Sequence, residues 1–183
     1  MINDVEKKLI GEDELASMVA RLGREITDEY KKSDKPLVVI VILKGSLIFA
    51  SDLVRKIDMP LDIEFMKVSS YGAGTKTSGE IKIHLDLNRE NLENYNLLIV
   101  EDIVDSGRTL SRLTQLLKNR NANNVKTCTL LDKPSRREVP FTPDYCGKVI
   151  EDEFVIGYGL DYDEKYRNLP YVGILKRSVY ENK

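Results

Sequence analysis

Apolar residues repeat along the first third of the chain with helical spacing and in one continuous run. The spacing of apolar residues from Leu15 to Ile26 predicts an amphipathic helix over roughly Glu12 to Tyr30. The run Leu37–Leu43 is unbroken and rich in β-branched residues, which is typical of a strand buried on both faces. Helical spacing returns between Leu47 and Ile57.

Strand and helix patterns repeat towards the C-terminus. Leu61–Phe65 and Ile81–Leu87 alternate apolar and polar residues, which predicts two more exposed strands. Leu97–Val100 predicts a second buried strand, the leucines of Leu110–Leu117 a helix, and Val125–Leu131 a third strand. Strands that alternate with helices predict a mostly parallel sheet with helices on both faces. Such sheets bind ligands beyond the carboxyl ends of their strands, so the loops that follow strands are the candidate sites.

Composition limits the class of protein. A chain of 183 residues, 42% hydrophobic and 32% charged, is suited to one globular domain. Its 28 Lys and Arg face 30 Asp and Glu, and the net charge of -2 disfavours non-specific nucleic-acid binding. The charged N-terminus has no signal-peptide pattern, and no apolar run is long enough for a membrane span. We therefore expect a cytoplasmic protein without a nucleic-acid or membrane partner.

The rare residue types exclude several kinds of site. Cys128 and Cys146 form no CxxC pair and no disulfide framework, which fits a reducing compartment. His84 is the single histidine, so a zinc site built on several histidines is impossible. Because His84 occupies an alternating stretch, we interpret it as an outward-facing strand residue rather than a catalytic one.

The most informative segment is Leu97–Leu110. Its buried strand ends in Glu101 and Asp102, Asp105 follows, and the sequence Ser-Gly-Arg-Thr then begins a helix. Backbone N–H groups and hydroxyls at a helix N-terminus form a cradle for an anion. Carboxylates beside such a cradle suit a sugar phosphate whose hydroxyls and Mg²⁺ lie between them. The alternative is that Asp105 or Ser106 only caps the helix and that the acid pair is solvated.

Three other segments contain candidate chemistry. Lys44 and Gly45 follow the first buried strand and could hold a diphosphate, although an ordinary strand-to-helix turn explains them as well. Residues 69–79 are rich in glycine and hydroxyls, as in a lid that excludes water or in a simple hairpin connection. Near the C-terminus, Lys133 could donate to an exocyclic oxygen of a purine and Phe154 could stack on the base. The alternative places Phe154 in the core.

Four motifs, in order, resemble those of a known family. EDIVDSGRTL, residues 101–110, resembles the phosphoribosyl-pyrophosphate motif of type I phosphoribosyltransferases. LKGS, residues 43–46, resembles the pyrophosphate loop of hypoxanthine phosphoribosyltransferases, and the Ser-Tyr-Gly at 70–72 resembles their mobile loop. Residues 152–175 resemble the C-terminal hood of the hypoxanthine-guanine enzymes. The resemblance runs from about Leu37 to Leu175.

The resemblance implies a type I phosphoribosyltransferase fold, which is an α/β fold with a mostly parallel twisted sheet flanked by helices. A small hood built from the C-terminal segment completes it. Residues 1–183 would form one domain, with a core of about 12–150 and a hood of about 1–11 plus 151–183.

The resemblance also implies site residues. Phosphoribosyl pyrophosphate would be bound by Lys44, Gly45, Glu101, Asp102, Asp105, Ser106, Gly107, Arg108, Thr109 and Arg167. The purine would be bound by Lys133, Phe154, Val155 and Asp161. Mg²⁺ would lie near Glu101, Asp102 and Asp161. Ser70 and Tyr71 would belong to a lid, and the Leu43–Lys44 peptide bond would be cis.

Individual roles follow from the same resemblance. Asp105 would be the general acid or base near purine N7, Lys133 would contact O6, and Phe154 would stack on the base. Val155 would contact the base through its backbone, and Arg167 would reach the pyrophosphate from the hood. Arg108 occupies the variable position of the motif, where a backbone contact is expected.

The activity implied is purine salvage, in which 5-phosphoribose moves from phosphoribosyl pyrophosphate to N9 of hypoxanthine or guanine. The products would be IMP or GMP and pyrophosphate, and the enzyme would be a cytoplasmic homodimer or homotetramer. Three alternatives stay open: a pyrimidine enzyme or RNA-binding regulator of the same fold, a non-catalytic sensor of phosphoribosyl pyrophosphate, and a phospho-accepting receiver domain. Lys133 and Phe154 favour a 6-oxopurine, and a receiver domain has no use for Ser-Gly-Arg-Thr after its acids.

Overall fold

The computed structural model of the chain describes residues 1–70 and 81–181. In chain order its strands and helices are β1 (Val5–Ile10), α1 (Glu12–Tyr30), β2 (Leu37–Ile42), α2 (Leu47–Val54), β3 (Leu61–Ser70), β4 (Ile81–Leu85), β5 (Asn96–Val104), α3 (Arg108–Asn119), β6 (Asn124–Asp132), β7 (Tyr145–Val149), β8 (Val155–Ile156), β9 (Val172–Leu175) and α4 (Arg177–Tyr180). The predicted bounds of α1 are confirmed at both ends.

A six-stranded sheet in the order β4-β3-β2-β5-β6-β7 forms the centre of the molecule. Neighbouring strands from β3 to β7 are parallel, and β4 pairs antiparallel with β3. All six residues of β2 are buried, as its continuous apolar run predicted. One apolar core packs α1 and α2 on one face of the sheet, and a second packs α3 on the other. The predicted α/β fold with helices on both faces is therefore confirmed.

A smaller sheet joins the two ends of the chain. β1 and β8 each pair antiparallel with β9, so residues near the N-terminus complete a sheet made otherwise from the C-terminal segment. This sheet fits the hood that the resemblance implied. The separate boundaries drawn for core and hood stay a prediction.

The β3–β4 pair lies at the edge of the large sheet and is more exposed, as its alternating pattern predicted. Ile63, Phe65 and Leu85 are 46%, 40% and 45% exposed. His84 is also exposed, and its Nε2 lies 2.8 Å from Ser69 Oγ, so its prediction as a surface residue is confirmed. Within the described ranges, no helix is both long and apolar enough to span a membrane.

Candidate active site

Three loops meet at the carboxyl edge of the sheet. Val41 of β2 lies beside Val100 of β5, and Val104 of β5 lies beside Asp132 of β6. The segments that follow these strands therefore emerge next to one another. Lys133 continues the sheet pattern by donating its N–H to the Val104 carbonyl at 2.9 Å. Strand register thus brings the Lys44 and Lys133 segments, which are about ninety residues apart in the sequence, to the same edge of the sheet.

The acid pair lies at this edge in a poorly solvated position. Glu101 Oε2 is buried and has no hydrogen-bond partner in the part of the chain that the structure describes. Burial, together with the neighbouring Asp102 charge, raises the pKa of Glu101 well above its usual value. Burial also raises the pKa of Asp102 to about 6, although the Ile103 N–H, which donates to its carboxylate at 2.7 Å, and the Arg167 charge oppose this. Both carboxyls are poised to accept donors from a ligand.

The loop after β2 passes directly over Asp102. The Leu43–Lys44 peptide bond is cis, as the resemblance implied. A Cβ atom on Gly45 would lie 1.6 Å from Asp102 Oδ2, so only glycine fits at this position. The loop therefore holds its own backbone against the acid pair.

The segment after β5 turns tightly into α3. Gly107 has φ +78° and is the N-cap residue of α3, and the Ser106 hydroxyl accepts the N–H of Arg108, the first residue of the helix, at 3.3 Å. Because the first N–H groups of a helix have no partner within it, this turn is a candidate anion site. A cavity of about 260 Å³ opens here, lined by Glu101, Ile103, Val104, Asp105, Ser106, Gly107, Thr109 and Leu110. The N-cap residue is therefore Gly107 rather than Asp105 or Ser106, although Ser106 satisfies one N–H at the start of the helix, as the alternative expected.

Arg108 takes no part in the lining of this cavity. Its guanidinium forms an ion pair with Glu138 at 2.5 Å. This agrees with the expectation that the variable position of the motif offers its backbone rather than its side chain.

A second cavity, of about 470 Å³, adjoins the first and shares Ile103 and Asp105 with it. Lys133, only 8% exposed, reaches into it, and its Nζ lies 3.6 Å from Asp105 Oδ1. Phe154 also lines this cavity and is 37% exposed, so it is not a core residue. A buried cation, a carboxylate and an exposed ring around one cavity suit a flat, polar, aromatic ligand.

Phe154 does not stand alone. The Tyr180 ring stacks against it with centroids 5.0 Å apart, and the Tyr162 ring meets it edge-on at 5.5 Å. Tyr180, in α4, also lines the second cavity. Sequence reasoning missed Tyr180 because a short terminal helix has no periodic pattern to reveal it.

The hood contributes a cation beside the Gly45 loop. Arg167 Nη1 lies 2.9 Å from Asp161 Oδ1 and donates to the Gly159 carbonyl at 2.8 Å. The Gly159 backbone in turn contacts the Gly45 backbone, because a Cβ on Gly159 would lie 2.0 Å from the Gly45 carbonyl. Arg167 and Asp161 therefore lie close to the loop that contains Lys44.

Comparison with known proteins identifies this arrangement. Residues 11–163 match the family model of the phosphoribosyl transferase domain. The chain belongs to the phosphoribosyltransferase family. A relative named hypoxanthine-guanine phosphoribosyltransferase, from Staphylococcus aureus strain Mu50, is 49% identical over 182 residues that cover 100% of each chain. This relative places the chain in the hypoxanthine-guanine branch of the phosphoribosyltransferases.

Solved structures and longer relatives agree with that membership. A crystal structure of a hypoxanthine phosphoribosyltransferase from Staphylococcus aureus is 49% identical, with a TM-score of 0.92, and the match covers 98% of this chain and 96% of that one. A Trypanosoma cruzi hypoxanthine phosphoribosyltransferase, solved as a ternary substrates complex, is 40% identical with a TM-score of 0.91 over 97% and 99% of the two chains. A bifunctional TilS/HprT protein from Listeria innocua is 56% identical over 98% of this chain, which spans 27% of that protein's length.

The candidate site thus brings together most of the residues singled out in the sequence. Lys44, Gly45, the acid pair, the Asp105–Thr109 loop, Lys133, Phe154, Val155, Asp161 and Arg167 lie around the two adjoining cavities or the Gly45 loop. Tyr71 lies outside the described residues, and only the backbone of Ser70, at the end of β3, is described. The lid assigned to these two residues stays a prediction.

Two further observations define the limits of the site. Within residues 1–70 and 81–181, no three His, Cys, Asp or Glu side chains come together as a ready-made metal site.

A larger cavity, of about 530 Å³, lies elsewhere between α1, α2 and the hood. Asp52 in its wall already accepts a hydrogen bond from Tyr158 at 2.5 Å and pairs with Arg55. We therefore take the two adjoining cavities as the candidate site for phosphoribosyl transfer.

Proposed function

We propose that this chain transfers 5-phosphoribose from phosphoribosyl pyrophosphate to N9 of hypoxanthine or guanine, forming IMP or GMP and pyrophosphate. One observation carries the proposal: Lys133 and Asp105 lie 3.6 Å apart in a cavity walled by Phe154, next to the phosphate-type loop at the start of α3. The name of the Staphylococcus aureus relative supports the same activity. No observation favours the pyrimidine, sensor or receiver alternatives.

Phosphoribosyl pyrophosphate is proposed to lie across the acid pair. Its 5′-phosphate accepts from the N–H groups and hydroxyls of Ser106, Gly107, Arg108 and Thr109, aided by the helix N-terminus. Its ribose hydroxyls donate to Glu101 and Asp102, which explains why two poorly solvated carboxyls face the ligand. The pyrophosphate lies at the Gly45 loop, where Lys44 and Arg167 supply positive charge.

The purine is proposed to occupy the second cavity, with one face on the Phe154 ring. Val155 contacts it through the backbone. The Lys133 ammonium has only donors, so it donates to the O6 of hypoxanthine or guanine and leaves the 6-amino group of adenine unpaired. Because Lys133 is almost completely buried, that mismatch is costly, and 6-oxopurines are selected.

The transfer breaks the bond between C1′ and the pyrophosphate oxygen and forms the bond between C1′ and N9. The electron pair of the broken bond leaves with pyrophosphate, and the purine N7 proton moves to the Asp105 carboxylate. A general base of this kind contributes about 10²- to 10⁴-fold to the rate. Alignment of base and ribose in adjoining cavities contributes by keeping the reacting atoms in line.

Mg²⁺ is proposed as the cofactor, and the residues present fit it. Asp102 and Asp161 offer carboxylate oxygens, and Glu101 has a buried oxygen without a partner in the described part of the chain. Mg²⁺ prefers oxygen ligands and is commonly held by one or two carboxylates together with substrate phosphates. A bound Mg²⁺ neutralises the pyrophosphate charge and so improves the leaving group.

We also propose a cytoplasmic homo-oligomer, a dimer or a tetramer. Leu47 on α2, and Ile63 and Phe65 on β3, are 48%, 46% and 40% exposed. Large apolar side chains exposed on two consecutive elements support contact with another copy of the chain.

The test is to incubate the purified protein with phosphoribosyl pyrophosphate and hypoxanthine, with and without Mg²⁺, and to quantify IMP and pyrophosphate. We expect equal amounts of the two products with Mg²⁺ present and a large loss on chelation. Nucleotide from uracil alone would move the chain to the pyrimidine branch. Tight binding of phosphoribosyl pyrophosphate without product from any base would support the sensor alternative.

A further inference from the structure

The phosphate loop has an outer face that is held by the segment between β6 and β7, residues 133–144, here called the connector. The Arg137 guanidinium donates to the Asp105 carbonyl and, with its other arm, to the Asp132 carboxylate. The Glu138 and Val139 N–H groups both donate to the Ser106 carbonyl, at 3.0 and 3.3 Å. The carbonyls on the outer face of the loop therefore have fixed partners.

Fixing these carbonyls fixes the donors on the opposite face. In a trans peptide the C=O and the following N–H point in opposite directions. The Asp105 carbonyl and the Ser106 N–H share one peptide, and the Ser106 carbonyl and the Gly107 N–H share the next. Arg137 and the connector backbone thus hold these peptides so that their N–H groups point away from the connector, towards the phosphate side.

Among these hydrogen-bond donors Arg137 is the only side chain, and its surroundings hold it in place. Its side chain is 15% exposed and that of Asp132 is 8% exposed. Asp132 is in turn fixed by the sheet, because it ends β6 beside Val104. A charge-assisted pair with this little solvent access holds its geometry better than a surface ion pair.

Arg137 also packs against the glycine of the loop. A Cβ on Gly107 would lie 2.9 Å from Arg137 Cδ, so the arginine stem covers the residue with φ +78°. Rotation of this turn is therefore opposed by packing as well as by hydrogen bonds.

We propose that Arg137 is a positioning residue that presets the N–H donors of the phosphate loop. It acts through the Asp105–Ser106 peptide and contacts no substrate. The inference rests on the proposed function, because it assumes that this loop receives the 5′-phosphate. It adds that the affinity for this phosphate depends on a side chain outside the phosphoribosyl-pyrophosphate motif.

The test compares Arg137→Gln with the wild type by calorimetry, using two separate probes. Ribose 5-phosphate reports on the phosphate loop, and pyrophosphate with Mg²⁺ reports on the Gly45 loop. We expect the Kd of ribose 5-phosphate to rise about 10- to 100-fold, the scale of losing one charge-assisted hydrogen bond, and the Kd of pyrophosphate to change less than twofold. KM for phosphoribosyl pyrophosphate should rise in parallel, with a smaller change in KM for hypoxanthine.

Two further variants keep the test decisive. Arg137→Lys keeps the charge with a single donor head and should give an intermediate loss, which covers the case in which the glutamine variant does not fold. Arg24→Gln removes one positive charge from the exposed side of α1 and should match the wild type.

The outcomes separate the two proposals. Unchanged ribose 5-phosphate binding in the Arg137 variants, or an equal loss of both probes, would overturn the positioning role. Failure of the wild type to bind ribose 5-phosphate or to make nucleotide would instead count against the proposed function.

Discussion

Lys44 and Glu164, which are 120 positions apart in the sequence, form an ion pair at 2.9 Å between the Gly45 loop and the hood. The same carboxylate lies 3.4 Å from Arg167 Nη2. The hydrogen bond from Lys44 is the main reason that the pKa of Glu164 lies below its usual value. One carboxylate of the protein thus occupies the two cations that we propose for the pyrophosphate.

Glu164→Gln is therefore expected to tighten pyrophosphate binding, because the ligand no longer competes with a charged side chain. Both partners of the pair are exposed, so the gain should be modest, about two- to fivefold in Kd. Titration calorimetry with Mg²⁺ and pyrophosphate measures it. Asp163→Asn is the matched control, since Asp163 lies in the same turn and pairs with Lys165 at 3.9 Å. Equal effects of the two variants would show that the change in net charge, and not the loss of the Glu164 ion pairs, explains the tighter binding.

Asp105→Asn should lower kcat about 10²- to 10⁴-fold while phosphoribosyl pyrophosphate still binds, because the amide keeps the size of the side chain but accepts no proton. The Asp105 carbonyl and its partner Arg137 are unaffected by the change. Single-turnover kinetics and substrate binding are the two measurements. If binding fell by as much as turnover, the acid–base role of Asp105 would be wrong.

Phe154→Leu should weaken base binding, because an aliphatic side chain fills similar space but offers no ring face. Stacking of a base on an aromatic side chain contributes about 1–3 kcal/mol, so KM for hypoxanthine should rise roughly 5- to 150-fold. KM for phosphoribosyl pyrophosphate should stay within about twofold of the wild type. A parallel rise of both KM values would show that the ring supports the hood rather than the purine.

Asp102→Asn should stabilise the ligand-free protein at pH 8 but not at pH 4. The pKa of Asp102 is raised from 3.8 to about 6 in the folded state. The contribution of Asp102 to folded stability is therefore fully present below about pH 4 and is lost as the pH rises through about 6, where the buried carboxyl must ionise. The shift of about two units corresponds to at most about 3 kcal/mol.

Thermal unfolding of the wild type and Asp102→Asn at both pH values checks this expectation. Asp86→Asn is a control of opposite sign. The hydrogen bond from Arg120 lowers the pKa of Asp86 below its usual value of 3.8, so ionised Asp86 stabilises the fold above that usual value. This stabilisation is lost as the pH falls through the lowered pKa. Asp86→Asn should therefore lose stability at pH 8. Equal stability of Asp102→Asn and the wild type at pH 8 would contradict the claim that burial of the ionised Asp102 carboxylate destabilises the fold.

Sequence patterns predicted the central sheet well because burial leaves a strong signal. The unbroken apolar run that begins at Leu37 predicted β2, and the apolar spacing from Leu15 to Ile26 predicted α1, both almost to the residue. β1, β7, β8 and β9 were not predicted as strands. β8 has only two residues, and only Ile10 of the six residues of β1 is buried, so neither has a clear apolar pattern. Such strands are defined by their partners rather than by their own pattern.

The residues of the candidate site also divide into those that sequence patterns predicted and those that they did not. Asp105 and Lys133 could be found because each follows a buried strand, and register then places them together. Arg137 and Glu164 could not, since a charged residue in a loop resembles any solvated surface charge. Their roles depend on contacts with Asp132 and Lys44, which only the folded chain brings into reach.

The central claim, transfer of phosphoribose to a 6-oxopurine, is tested most directly by measuring kcat/KM for hypoxanthine and for adenine in the wild type and in Lys133→Met. The account predicts that the wild type prefers hypoxanthine by at least about 10²-fold, and that the methionine variant loses most of this preference by losing activity on hypoxanthine. Equal use of adenine by the wild type, or an undiminished preference in Lys133→Met, would contradict the account.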